Sequence, residues 1–297
     1  MFLTAFSRSI GLLYGILAGL CTSMQIVLAR SLTGTLPADQ LIFARSIFMM
    51  VVIIHVSWTS SISYTNVDSM LYIVYGVLNV AGMYTSYIAL IFTSTGNVNA
   101  VTMNLVIPTA ILSYFILEES ITSRLSIPIF VINFVGIVLI ANPSFTTEGD
   151  MNEIYSDLIG VSLSFASLIS ITLSRIVGRK CSLRGFLDSS LMTIMSGVVG
   201  MSFCIFMLIS GSSWKMVSTL SDFFKLFLFS TSALLSNQFT VLGVKYEQAN
   251  NIAILGTLSV PLAYLSSLIL FNEVPTLLNV IGAMMVLGST LVSYFIF

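Results

Sequence analysis

The sequence predicts an all-α polytopic membrane protein, with ten transmembrane helices in two inverted five-helix repeats. Three observations predict it. The 297 residues are 57% hydrophobic and only 8% charged, with a mean hydropathy of +1.02. A soluble domain carries about 25% charged residues, so this chain cannot cover its own surface in water. Apolar runs then recur along its whole length at the size of a bilayer span, about 20 residues each. Finally, one run has an echo. Residues 96–119 read GNVNAVTMNLVIPTAILSYFILEE, and residues 249–273 read ANNIAILGTLSVPLAYLSSLILFNE. A constant offset sets Asn97 against Asn250, Ala100 against Ala253, Leu105 against Leu258 and Pro108 against Pro261, with Asn104 opposite Thr257. One inserted residue brings Glu119 to Glu273.

Taken in order, the expected spans are 9–29, 40–57, 69–91, 96–117, 125–141, 157–177, 187–209, 223–244, 249–271 and 277–296. The first follows Arg8 and has nearly full spanning length. No convincing small-x-small cleavage site precedes Arg30, so it reads as a permanent helix rather than a signal peptide. Gly11 and Gly160 open the first and sixth spans, which close at the same distance with Arg30 and Arg179. Trp58 and Trp214, the two tryptophans, close the second and seventh, where an aromatic belt would hold them. In the fourth span, residues 97, 104, 108 and 111 share a face if the helix is continuous. The connector 143–156 contains Pro143, Glu148, Gly149, Asp150 and Glu153, and reads as an acidic linker between repeats 1–142 and 157–297.

Arg175, Arg179, Lys180 and Arg184 surround the loop between the sixth and seventh spans. The positive-inside rule makes that loop cytosolic, and counting outward puts both termini in the cytosol too. Five spans per repeat is an odd number, so the repeats insert with opposite topology, the arrangement that alternating access uses. Plasma membrane and endomembrane fit equally well.

Several function classes fall away. A net charge of −1 gives no electrostatic case for nucleic acid. Cys21, Cys181 and Cys204 form no CxxC or His/Cys cluster, and read as small buried hydrophobes without a metal or cofactor. No nucleophile–base pair or carboxylate dyad shares a depth, so no enzyme is predicted. The expected partners are membrane lipids and a small-molecule solute, and a homodimer is left open.

The candidate site residues are polar groups at membrane depth. Arg45, inside the second span, costs about 2.5–3.5 kcal/mol there unless it is paired or near water. It either binds an anionic solute or packs as a structural element. The third span offers Asn79, Met83 and Tyr87 on one face, with Tyr84 one step round. The eighth offers Ser232, Ser236 and Thr240 beside Asn237 and Gln238; the ninth adds Thr257 and Tyr264, and the first adds Ser23 and Gln25. A lone hydroxyl is equally explained as helix–helix glue, worth about 0.6 kcal/mol. Amides such as Asn104, Asn237 and Gln238 have more bonds to satisfy. The binding set is therefore Gln25, Arg45, Asn79, Tyr84, Tyr87, Asn104, Asn237, Gln238, Thr257 and Tyr264. Pro108 and Pro261 each free a carbonyl one turn earlier, and are read as gating positions or kinks. His55 reads as interfacial, and Glu119 and Glu273 as helix-end corners. No carboxylate lies deep in a span, so proton coupling is not predicted.

The Phe43-Ala-Arg45 stretch, Glu118-Glu119, Gly136, Asn142-Pro143, the Asn272-Glu273-Val-Pro275 corner and Gly282 together resemble the EamA-type branch of the drug/metabolite transporter superfamily. The opening Gly11-Leu-Leu-Tyr, Phe43-Ala-Arg45, and Phe271-Asn-Glu-Val-Pro-Thr276 with the Gly-Ala pair at 282–283 are also similar to the solute carrier 35 family, subgroup G. The resemblance implies a central solute, no cofactor, and gating by the fourth and ninth spans. It also implies an arginine at position 45 whatever the solute, which favours a structural role there. The late spans lack the lysines that phosphate-exchanging relatives use, which argues against sugar-phosphate antiport. The expected function is a secondary carrier of a small polar organic metabolite, with organic anions ahead of nucleotide sugars. The alternative is a non-transporting membrane scaffold or regulator.

Overall fold

A computed structural model describes residues 2–59, 69–118, 126–140, 151–185, 188–217, 219–271 and 276–296. All regular structure among them is helical. The helices are α1 (Phe2–Thr33), α2 (Ala38–Thr59), α3 (Ser69–Phe92), α4 (Thr95–Thr102), α5 (Val106–Leu112), α6 (Ser126–Ile140), α7 (Met151–Leu183), α8 (Ser189–Ile209), α9 (Leu220–Tyr246), α10 (Ala249–Gly256), α11 (Ser259–Phe271) and α12 (Leu277–Ile296), with a π-helix at Ser113–Leu117 after α5.

Among the described residues, seven helical stretches are long and apolar enough to cross a membrane: Ile10–Thr33, Ser69–Phe92, Thr95–Leu117, Tyr155–Leu183, Ser189–Ile209, Leu220–Tyr246 and Asn251–Phe271. The other three expected spans coincide with α2, α6 and α12. Of these, α12 contributes a shorter apolar stretch, Leu277–Ser289. Burial is inverted relative to a water-soluble fold. Phe115, Phe206, Ile209 and Ile269 lie exposed on the outer surface, whereas Gln25, Arg45, Asn79 and Asn237 are buried. Lipid tails accept the former, and the latter are satisfied only by one another or by water.

Two of the seven stretches are broken, and the chemistry of the break is the same in both. Pro108 is the third residue of α5 and Pro261 the third of α11. A proline has no N–H, so the carbonyls of Asn104 and Thr257 lose their ordinary partner one turn on. The helix lapses at 103–105 and again at 257–258. At the second break the Val260 N–H closes a tighter turn on the Thr257 carbonyl, at 3.0 Å. The first break also ends the face that a continuous helix would have aligned: Asn97 meets Tyr264, and Asn104 meets Asn133.

The long helices pack in pairs: α1 along α9, α3 along α7, α2 along α8 and α6 along α12. Glycines set the closest approaches. A Cβ on Gly82 would lie 2.7 Å from Ile171 Cγ1, and one on Gly136 would lie 2.9 Å from the Gly282 carbonyl oxygen. At the first crossing the Ser167 hydroxyl donates to the Gly82 carbonyl at 2.7 Å and lies 2.6 Å from that of Ser86.

Two expectations change. Helix α7 starts at Met151, so the last residues of the expected linker are already helical. Trp214, expected in an aromatic belt, is half-buried against protein. It follows α8, its ring lies tilted against that of Phe43 with centroids 4.5 Å apart, and its Nε1–H donates to Asp39 at 2.8 Å, because the buried Asp39 carboxylate at the start of α2 needs donors. Asp39 also accepts from Ser212, and the Cys204 thiol donates to its backbone carbonyl. Cys181 and Cys204 are buried and Cys21 half-buried, all as free thiols. Arg124, Asn142, Pro143 and the 272–275 corner lie outside the described residues, as do Glu119 and the side chains of His55, Trp58 and Asn250.

Candidate functional site

Four helices bring polar faces to one place. On α3, Tyr75, Asn79 and Met83 are spaced four apart and so share a face. They are joined by Thr22 and Gln25 of α1, by Ile171, Ser174, Arg175 and Gly178 of α7, and by Ser236, Asn237, Thr240 and Val244 of α9. Arg45 of α2 and Met103 at the first helix break complete the wall. The space between them opens through a mouth at one side, and its wall mixes polar and apolar side chains.

A chain of hydrogen bonds organises the wall. The Arg45 Nη2 donates to Asn79 Oδ1 at 2.8 Å, and its Nη1 donates to the Tyr87 hydroxyl at 3.4 Å. Gln25 Nε2 donates to the same hydroxyl. Asn79 Nδ2 reaches Asn237 Oδ1 at 3.3 Å, which also accepts from the Tyr75 hydroxyl at 2.9 Å, and Asn237 Nδ2 donates to Thr193 Oγ1 at 2.9 Å. Thr22 and Ser236 hydroxyls meet at 2.6 Å. Thus α1, α2, α3, α8 and α9 are tied together through polar groups, at a depth where each unsatisfied group would be costly.

Of the ten binding candidates, Gln25, Arg45, Asn79 and Asn237 line the cavity, and Tyr87 lies behind it, bonded to two of them. The other five are elsewhere. Tyr84 packs edge-on against Phe203 with ring centroids 4.7 Å apart. Asn104 donates to Asn133 Oδ1, whose own Nδ2 donates to Ser289 Oγ at 2.8 Å, a buried ladder between the first break, α6 and α12. Gln238 is half-buried one residue from the lining Asn237. Thr257 bonds back to the Ile254 carbonyl at 2.8 Å. The Tyr264 hydroxyl donates to Asn97 Oδ1 at 3.2 Å, with its ring over Gly96. Pro108 and Pro261 stand three residues beyond the breaks and outside the lining.

The lining also holds residues not anticipated: Thr22, Tyr75, Ser174 and, above all, Arg175. Expected among the basic residues that surround the loop after the sixth span, Arg175 is 7% exposed and two turns inside α7, which runs on to Leu183. Its Nε and Nη1 are buried without a hydrogen-bond partner, as is Gln25 Oε1. The lining contains two arginines and no Asp or Glu. Its chemistry is that of a hydrogen-bonding pocket with uncompensated positive charge.

Comparison with known proteins bears on what such a pocket serves. Residues 9–142 match the EamA-like transporter family. This EamA-like region carries Gln25, Arg45, Asn79 and Tyr87, while Arg175 and Asn237 lie beyond it. No curated protein matches the chain. One solved crystal structure is similar with a TM-score of 0.77 at 14% identity, over 97% of this chain and 98% of its own. At that identity the likeness shows a shared fold and no more.

Proposed function

We propose that this protein is a secondary transporter that carries a small polar organic anion by alternating access between two inverted repeats of five spans. The observation that carries the proposal is the cavity wall: buried amides, hydroxyls and two arginines facing one space, inside a bundle of membrane-crossing helices with an EamA-like region. A plain structural bundle gains nothing from positive charge that it leaves unpaired at membrane depth. The same point disfavours the scaffold alternative.

Several contacts support the repeat. Arg30, near the end of α1, donates to the Leu90 carbonyl near the end of α3, and Arg179, near the end of α7, donates to the Val244 carbonyl near the end of α9. Each places a cation where a helix's last carbonyls are unpaired. Gly11 lies against Tyr246 and Glu247, while Gly160 lies against Phe92 and Thr93. Exchanging the halves therefore turns the α1–α9 packing into α7–α3, and leaves α2–α8 and α6–α12 paired with themselves. At the last of these, Gly136 packs against the Gly282 backbone.

On this reading both termini are cytosolic, from the basic residues Arg179, Lys180 and Arg184 at the end of α7. The proline breaks in the two discontinuous spans are the hinges that gate the site. The short motifs similar to solute carrier 35, subgroup G, favour the same class of carrier. The test is uptake by proteoliposomes of labelled polar metabolites, with Asn79→Leu and Asn104→Leu compared. Transport lost in Asn79→Leu and kept in Asn104→Leu supports the cavity as the path. A folded protein that moves no solute in either direction removes the proposal.

A further inference from the structure

Building on the carrier reading, we infer that Arg175 is the residue that takes the charged end of the solute, with Gln25 as its second contact, and that the solute is a hydroxycarboxylate. The two arginines of the cavity are not equivalent. Arg45 is spent: Asn79 and Tyr87 hold it in place. Arg175 is 7% exposed, lines the cavity, and keeps two nitrogens free of hydrogen bonds. A buried guanidinium demands acceptors for five N–H bonds.

Its seat offers partial relief only. A Cβ on Gly256 would lie 3.5 Å from Nη1 and 3.6 Å from Nη2, so the guanidinium rests on the last residue of α10. A helix C-terminus carries a partial negative charge of about half an elementary unit. This offsets part of the guanidinium charge and leaves the rest for a ligand. No carboxylate of the lining supplies it, so the solute must. A planar carboxylate matches the guanidinium fork best.

Gln25 Oε1 adds a second unmet need, for a donor. A hydroxyl or an ammonium group could meet it. Two uncompensated arginines in the same wall repel an ammonium, which leaves the hydroxyl.

The experiment measures melting temperature and counterflow for the full-length protein with paired acids: lactate and propionate, malate and succinate, gluconate and hexanoate, with glycerol as the neutral control. Hydroxy acids should stabilise the wild type more than their deoxy partners, by a factor of about 10 in apparent affinity, the worth of one hydrogen bond to a buried polar group. Arg175→Gln should lose the response to all the acids, and Arg175→Lys, which keeps the charge, should retain part of it. Gln25→Met should keep the carboxylate response and equalise each pair. An Arg175→Gln protein that responds as the wild type does, or pairs that never differ in the wild type, overturns the inference. Acids that move while the paired responses never differ overturn it and leave the carrier proposal standing. Glycerol moving while no acid does overturns it together with the anion part of that proposal, and no solute moving at all removes the carrier reading itself.

Discussion

Asn237 is the most connected side chain of the cavity wall, and replacing it by leucine is the sharpest perturbation of that wall. Its Oδ1 accepts from Tyr75 and Asn79 and its Nδ2 donates to Thr193, so Asn237→Leu removes three hydrogen bonds across α3, α8 and α9. Side-chain hydrogen bonds in membrane proteins average about 0.6 kcal/mol, which sums to about 2 kcal/mol. The stranded partners are not equally harmed. Thr193 keeps its bond to the Ser189 carbonyl at 2.9 Å, and Asn79 keeps Arg45. The Tyr75 hydroxyl loses its acceptor, but it borders the cavity, where water can replace the amide. That keeps the expected cost near 2 kcal/mol; a buried hydroxyl with no replacement would add about 1–3 kcal/mol. The assay is reversible unfolding in mixed micelles, with Tyr75→Phe as the partner in a double-mutant cycle and a coupling of about 0.6 kcal/mol expected between the two. An Asn237→Leu protein as stable as the wild type, with no coupling to Tyr75, would refute the bonding scheme.

Other consequences follow from close contacts. Gly136→Ala puts a methyl 2.9 Å from the Gly282 carbonyl oxygen, and overpacking of this kind costs about 1–3 kcal/mol; unfolding in micelles reads the loss, which an equally stable variant would deny. Asp39→Ala takes the acceptor from Trp214 and Ser212. In a Trp58→Phe background, the emission of Trp214 should shift to the red as the 212–217 segment loosens, and unchanged emission would mean that Asp39 does not hold it. Pro261→Ala restores an N–H for the Thr257 carbonyl and should heal the break between α10 and α11, raising the melting temperature while slowing uptake. Uptake at the wild-type rate would show that the break is no hinge.

The membrane class and the helical runs were legible because apolarity at spanning length has few other meanings. The proline breaks were legible too, since Pro108 and Pro261 announce a lost donor wherever they fall. What misled was geometry between helices. Asn104 shares a face with Asn97 only along an unbroken helix; the lapse at 103–105 turns it toward Asn133 and Ser289. Arg175 sits so near Arg179, Lys180 and Arg184 in sequence that it groups with them as a basic cluster at a span end. The apolar Ile171, Leu173, Ile176 and Val177 around it, in a helix that continues to Leu183, are the signal that it lies inside. Tyr84 stands one step round the helix from Asn79, Met83 and Tyr87, and that step sends it to Phe203 while Tyr87 reaches Arg45.

Water access decides most directly whether the wall around Asn237 encloses a solute path. In a background with Cys21, Cys181 and Cys204 replaced by alanine, Thr240→Cys and Asn104→Cys proteins in permeabilised vesicles can be treated with a charged maleimide. Thr240 lines the cavity and Asn104 is sealed against Asn133. Labelling at 240 with none at 104 is the predicted result. A silent 240, or labelling at 104 instead, would contradict it.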